Sequence, residues 1–195
     1  MFGGLVQKVL DKSRKPQTRR SLLSALLLDE IFFLLISPWF LIVPAYVIAR
    51  RLPLAYPPAA RWVVGTVATV AGLAYSLWAV RSQWRFGGGT PSLNAPTRHL
   101  VMAGPYRWCR NPIQLGSSTY ILGLGTLVFS LTTGLIAGVT ALLVGIVYIK
   151  LVEEKELCIR FGEEYEAYRR DTPLLIPCGR LFRKSARETH TITRS

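Results

Sequence analysis

The apolar residues of this chain run in long unbroken blocks, unlike the short alternating pattern of a soluble core. Residues 113–149 contain no Asp, Glu, Lys or Arg. As one straight helix they would reach roughly 55 Å, against a hydrocarbon core of about 30 Å. The stretch therefore predicts two spans folded back on each other, near 113–129 and 135–152, turning at Thr132-Thr133-Gly134. Two earlier blocks predict spans at 31–49 and 62–80, the first bounded by Asp29, Glu30, Arg50 and Arg51 and the second by Arg61 and Arg81. Pro38 and Pro44 predict a kinked first span, and Trp62 and Trp78 sit where interfacial anchors belong.

Outside the spans the periodicity changes. Residues 1–28 mix basic and apolar positions and read as an interfacial lead-in. Leu157, Phe161, Tyr165 and Tyr168 recur at helical spacing among charges. They predict an amphipathic surface helix with that stripe facing the membrane, ended by Asp171-Thr172-Pro173. Residues 183–195 read as a disordered basic tail. The expected fold class is an all-α polytopic membrane protein of about four spans with a C-terminal hairpin. One domain, 31–182, follows a basic segment, 1–30.

Charge adds orientation. The chain carries a net +13. Its Lys and Arg flank apolar spans instead of forming a stripe with exposed aromatics, so anionic lipid headgroups suit them better than nucleic acid. Only Arg50, Arg51 and Arg61 lie in the two odd-side connections, against twenty-one basic residues on the even side. That bias predicts cytoplasmic termini and a cytoplasmic 81–112 connection. Three cysteines without a C-x-x-C pair and two histidines predict neither a disulfide framework nor a metal site. No cleavable signal or lipidation box is expected. Gly87-Gly88-Gly89 lacks the Lys-Ser/Thr of a phosphate loop. Gly123, Gly125, Gly134, Gly138 and Gly145 predict close helix contacts.

Two polar segments then stand out: residues 98–112, entering the third span, and Glu153-Glu154, leaving the fourth. A hairpin brings both to one membrane face. Together they supply cations, an imidazole, an aromatic ring, exposed backbone near Gly104-Pro105 and two carboxylates. A sulfonium methyl donor needs such parts: a cation for its carboxylate, a carboxylate for its ammonium and an apolar slot for adenine. Membrane-edge carboxylates among so many cations are functional candidates by default. Arg107 reads as a positive-inside anchor and Cys109 as a small structural residue.

The run His99-Leu100-Val101, Gly104-Pro105-Tyr106-Arg107, Arg110-Asn111-Pro112 resembles the signature of the isoprenylcysteine carboxyl methyltransferase and phospholipid methyltransferase superfamily. So does Glu153-Glu154-x-x-Leu157-x-x-x-Phe161-Gly162-x-x-Tyr165-x-x-Tyr168, ending in Ile176-Pro177. Gly89-Thr90-Pro91 is similar to bacterial members. The likeness covers about 87–177, and the first two spans match in kind. It implies an S-adenosylmethionine-dependent methyltransferase with a lipophilic acceptor: a phospholipid amine, a hydrophobic carboxylate or a thiol. It also implies that His99, Leu100, Val101, Gly104, Pro105, Tyr106, Arg110, Asn111, Pro112, Glu153 and Glu154 line the cofactor pocket, with Arg110 and Glu154 closest to catalysis. Members commonly carry Tyr two residues after the Asn-Pro or His-Pro pair, where this chain has Gln114. The Tyr165 to Pro177 segment is also similar to nicotinamide-dependent steroid-reductase-like membrane proteins. An inactive scaffold of the same fold is the third reading.

Overall fold

The structure, a computed structural model, describes residues 31–52, 55–89 and 97–175. The expected lead-in at 1–28, Thr90-Pro91, Ile176-Pro177 and the 183–195 tail lie outside the described residues. Among the described residues every regular element is helical. A π-helical turn, Phe32–Ile36, leads into α1, Ser37–Ala49, and α2 spans Pro58–Ser82 before a second π turn, Gln83–Gly87. A 3-10 turn, Gly104–Arg107, precedes α3, Pro112–Val128. Next come α4, Leu131–Tyr148, a π turn at Ile149–Glu153, and α5, Glu154–Asp171.

The expected proline kink takes a specific form. Pro38 has no N–H to give the Leu34 carbonyl four residues back, and the preceding turn widens to a π turn. The Tyr120 hydroxyl of α3 donates to that carbonyl at 3.0 Å, so the lost bond is replaced from a neighbouring helix.

α3 is the central helix, with α2 on one side and α4 on the other, and α1 packs on α4. Small residues permit this. A Cβ on Gly72 of α2 would lie 2.7 Å from the Gly116 carbonyl oxygen and 2.8 Å from Tyr120 Cα, both in α3. A Cβ on Gly138 of α4 would meet Leu122 Cβ at 2.6 Å. With no hydrophobic drive between helices in lipid, such backbone proximity and its dispersion contacts hold the bundle. The apolar core joins Ile42 and Ala45 of α1, Ile121 of α3, and Ala137 and Ala141 of α4. Val63, Val67 and Val70 on α2, and Val139, Leu143 and Val147 on α4, face outward. An apolar exterior around a core of small residues suits hydrocarbon as solvent. The helices Pro58–Gly87 and Leu131–Asp171 are long and apolar enough to cross a membrane, while α1 and α3 are shorter at 13 and 17 residues.

The hairpin turns earlier than expected. Phe129 and Ser130 make the turn, and Thr132-Thr133-Gly134 lie in the first turn of α4. Ser130 is the N-cap: its hydroxyl accepts from the Thr133 N–H at 3.1 Å, which starts the helix four residues before the expected position. Across the turn, Arg61 donates to the Leu127 carbonyl at 2.7 Å and the Val128 carbonyl at 3.1 Å, satisfying the open end of α3. At the other end of the hairpin the chain stays helical through Ile149–Glu153 into α5, and the break falls at Gly162, with φ +52° and ψ −127°. That backbone conformation is essentially restricted to glycine.

Candidate cofactor site at the end of the helical hairpin

The two polar segments meet. Arg110 sits two residues before α3 and Glu154 opens α5 directly beyond the π turn that follows α4. Antiparallel packing of α3 and α4 therefore carries both to the same end of the bundle. Arg110 Nη1 donates to Glu154 Oε1 at 2.7 Å, with both side chains over nine-tenths buried. Lys150, one helical turn before Glu154, donates to both carboxylate oxygens at 3.0 Å. One buried carboxylate thus holds two cations.

Arg110 is also the hub that ties the returning chain to the loop. Its Nη1 reaches the Tyr165 hydroxyl at 3.2 Å and its Nε donates to the Thr172 carbonyl at 2.9 Å. Its backbone N–H donates to the Pro173 carbonyl at 2.9 Å. Asn111 continues the pairing: its N–H and its Nδ2 both donate to the Leu174 carbonyl, at 3.2 and 3.3 Å. Pro112, fully buried, occupies the first position of α3, where a missing N–H costs nothing.

The 104–107 turn forms the second wall. Gly104 has φ +61°, and a Cβ there would lie 2.5 Å from Ser82 Oγ, so the loop closes against the end of α2 only with glycine. Pro105 is fully buried behind it. Tyr106 packs with Val101 and Ala79, while its hydroxyl accepts from Gln83 Nε2 at 2.7 Å. Burial holds its phenol well above the usual value, so it stays neutral. The Tyr168 hydroxyl donates to the Tyr106 carbonyl at 2.6 Å. Arg160 donates to the Thr97 carbonyl and pairs with Glu156, fastening α5 to the start of the same loop.

Several expectations change here. Tyr165 and Tyr168 do not face the membrane: they are 1% and 6% exposed and turn inward onto Arg110 and Tyr106. A phenol with a buried partner is stabilised by facing protein, and helical spacing alone does not say what a face meets. His99 is exposed; its N–H donates to the Gly87 carbonyl at 3.2 Å and its ring lies beside Gly88. Leu100 and Glu153 are half-buried. Arg107 lines an outer cleft of about 230 Å³ with Met102, Glu164, Ala167, Tyr168, Asp171 and Thr172. Cys109 is fully buried against the Tyr75 hydroxyl, and burial pushes its thiol up, so it serves as a packed small residue. Gln114 turns into the α3–α4 seam, donating to the Ala141 carbonyl at 2.9 Å and Ser118 Oγ at 3.0 Å opposite Gly145.

The motifs in the sequence do not mark Lys150, Gln83 or Arg160, and they contain the tyrosine pair without placing it at the site; the fold brings all five to this end of the bundle. Lys150 was detectable, because an i,i+4 Lys–Glu pair is legible in sequence. Gln83 carried no signal.

Tyr168→Phe tests the fastening of α5. Removing the hydroxyl leaves a buried carbonyl without its donor, which costs about 1–3 kcal/mol. The expected result is a lower unfolding midpoint in detergent; an unchanged midpoint would show that the bond contributes nothing.

The model of the phospholipid methyltransferase family matches residues 60–164, which takes in α2, the loop, the hairpin and the first part of α5. The matched stretch begins before residue 87 and ends at 164, so the Tyr165, Tyr168 and Ile176-Pro177 part of the expected likeness lies outside it. The nickel-cobalt-cadmium resistance protein NccN of Alcaligenes xylosoxydans xylosoxydans is 30% identical over 128 residues, 64% of this chain and 56% of that protein. The chain therefore spans little more than half the length of that curated relative. No solved structure matches. Its helical membrane architecture and a family match over more than half its length agree: the chain belongs to the phospholipid methyltransferase family, a family of membrane methyltransferases.

Proposed function

We propose that this protein transfers a methyl group from S-adenosylmethionine to a lipophilic acceptor at the cytoplasmic face of the membrane. The observation that carries the reading is the convergence of Arg110, Glu154, Tyr106 and Asn111 at one end of the apolar hairpin. The donor set fits a sulfonium nucleoside: carboxylates at Glu153 and Glu154, a cation at Arg110, and an aromatic and apolar wall from Tyr106 and Val101. Two buried polar atoms at this end of the molecule, Gln83 Oε1 and Thr172 Oγ1, also have no hydrogen-bond partner among the described residues.

S-adenosylmethionine supplies an electrophilic methyl when bound. The work of the chain is to bind, orient and exclude water, since in-line displacement depends on positioning. Glu153 and Glu154 would hold the ammonium, Arg110 the carboxylate, and Val101, Gly104 and Tyr106 the nucleoside. His99 stands at the open edge of the loop, where it would meet the cofactor or the acceptor. A carboxylate or thiolate acceptor needs no base, whereas an ammonium headgroup must first lose a proton. The positive-inside bias favours a cytoplasmic site.

A second reading, a scaffold that retains the fold without the chemistry, draws on Glu154. Its oxygens are already engaged by Arg110 and Lys150, an arrangement that serves structure alone equally well. Membranes containing the protein and methyl-labelled S-adenosylmethionine separate the two. The proposal predicts label in a lipid or other lipophilic fraction, lost in Glu154→Ala; a scaffold gives no label above protein-free membranes.

A further inference from the structure

The two halves of α5 are held in different ways. The helix grows from α4 through the π turn at Ile149–Glu153, and among the helical elements it packs chiefly on that turn. It then breaks at Gly162, which is exposed and has φ +52° and ψ −127°. A Cβ there would meet nothing within 4 Å, so this glycine answers to backbone conformation and not to packing. Beyond the break, residues 163–174 are fastened by directed bonds. Tyr165 and the Thr172 carbonyl bond Arg110, and Tyr168 bonds the Tyr106 carbonyl. The Pro173 and Leu174 carbonyls accept from the N–H groups of Arg110 and Asn111. The cleft of about 230 Å³ lies on this seam, with Met102 and Arg107 on the loop side and Glu164, Ala167 and Asp171 on the helix side. Thr172 also lines the cleft, and its Oγ1 is buried without a partner among the described residues.

Resting on the cofactor reading above, we propose that residues 163–174 are a lid that swings about Gly162 to admit and release the cofactor. Val101, Tyr106 and Glu154, which that reading sets around the ligand, are 5%, 6% and 7% exposed. A nucleoside reaches them only when a covering wall moves. The loop is not that wall: Gly104 is wedged against Ser82, and the N–H groups of Arg98 and His99 are tied to the Gly87 carbonyl. The first half of α5 is fixed as well, through Glu154 to Arg110 and through Arg160 to the Thr97 carbonyl. The second half covers Arg110 and Tyr106 with hydrogen bonds that water can replace, each of modest net strength. Lids are drawn from such locally less stable segments. Hinges are a few residues at element ends that absorb a large φ/ψ change, and glycine absorbs it with the least strain.

The test bridges the seam in the full chain in detergent. Met102→Cys and Ala167→Cys place thiols on opposite sides of the cleft, at exposed positions outside the proposed cofactor contacts. A bis-maleimide carrying a cleavable disulfide joins them, and labelled S-adenosylhomocysteine is the probe. Rates are compared with wild-type protein treated with the same reagent, which accounts for the three native cysteines. Bridging before the probe is added should slow its association at least tenfold. Bridging after it has bound should slow its release by a similar factor, and reducing the linker should restore both rates. Unchanged rates overturn the lid while leaving the cofactor reading intact. So does faster release, the mark of a distorted pocket, or slowing that persists after reduction. Failure of the wild type to bind the probe removes the cofactor reading and the lid with it.

Discussion

Arg110→Ala is expected to abolish cofactor binding and to lower stability by about 3–5 kcal/mol, the usual result of removing one partner of a buried ion pair. The guanidinium contacts Glu154, Tyr165 and the Thr172 carbonyl together. Without it the buried Glu154 keeps only Lys150, whose side chain is half exposed and a weaker partner. Arg110→Lys keeps the charge but lacks the planar fork, so it should recover part of the stability and little of the binding. Arg110→Ala combined with Glu154→Ala should cost less than the two separately, because residues in contact do not act independently. Unfolding midpoints of the wild type and these four variants in one detergent provide the check, and additive losses in the double variant would show that the pair is not coupled.

The next largest effect is expected far from the site, at Gly72. Its surroundings in α3 are the Gly116 carbonyl and the Tyr120 backbone, which cannot rotate aside as a side chain can. Gly72→Ala should therefore force α2 away from α3 and cost about 1–3 kcal/mol, the range for overpacking a close-packed interior. Val67→Ala, on the outward face of the same helix, should change little. Thermal unfolding in detergent compares them; equal midpoints for the two variants would mean that the α2–α3 seam is looser than its glycines imply. Because α2 ends at the turn carrying Gln83, the Gly72 substitution should also weaken cofactor binding.

Much of this arrangement is legible in the residues alone. A charge-free stretch nearly twice the length of one span has to fold back. That single inference brings Arg110 and Glu154 to the same end, where they form an ion pair. The glycines of α3 and α4 were likewise readable as contact points, and they are. Other features escape because they depend on what lies opposite. The Tyr165–Tyr168 stripe has the spacing of a buried face, but spacing does not distinguish protein from lipid as the partner. The hairpin turn was displaced by the hydroxyl of Ser130, a local cap that outweighs the turn preference of Thr132-Thr133-Gly134. Gln114 breaks the family pattern in sequence, yet in the fold it locks α3 to Ala141 across from Gly145, a pairing between positions far apart in the chain.

Saturation binding of labelled S-adenosylhomocysteine to the purified protein, with NADPH as a parallel ligand, addresses the cofactor site most directly. One saturable site for the nucleoside, none for NADPH, and loss of the site in Glu154→Ala is the predicted outcome. Binding of NADPH alone, or nucleoside binding that survives both Glu153→Ala and Glu154→Ala, would contradict it.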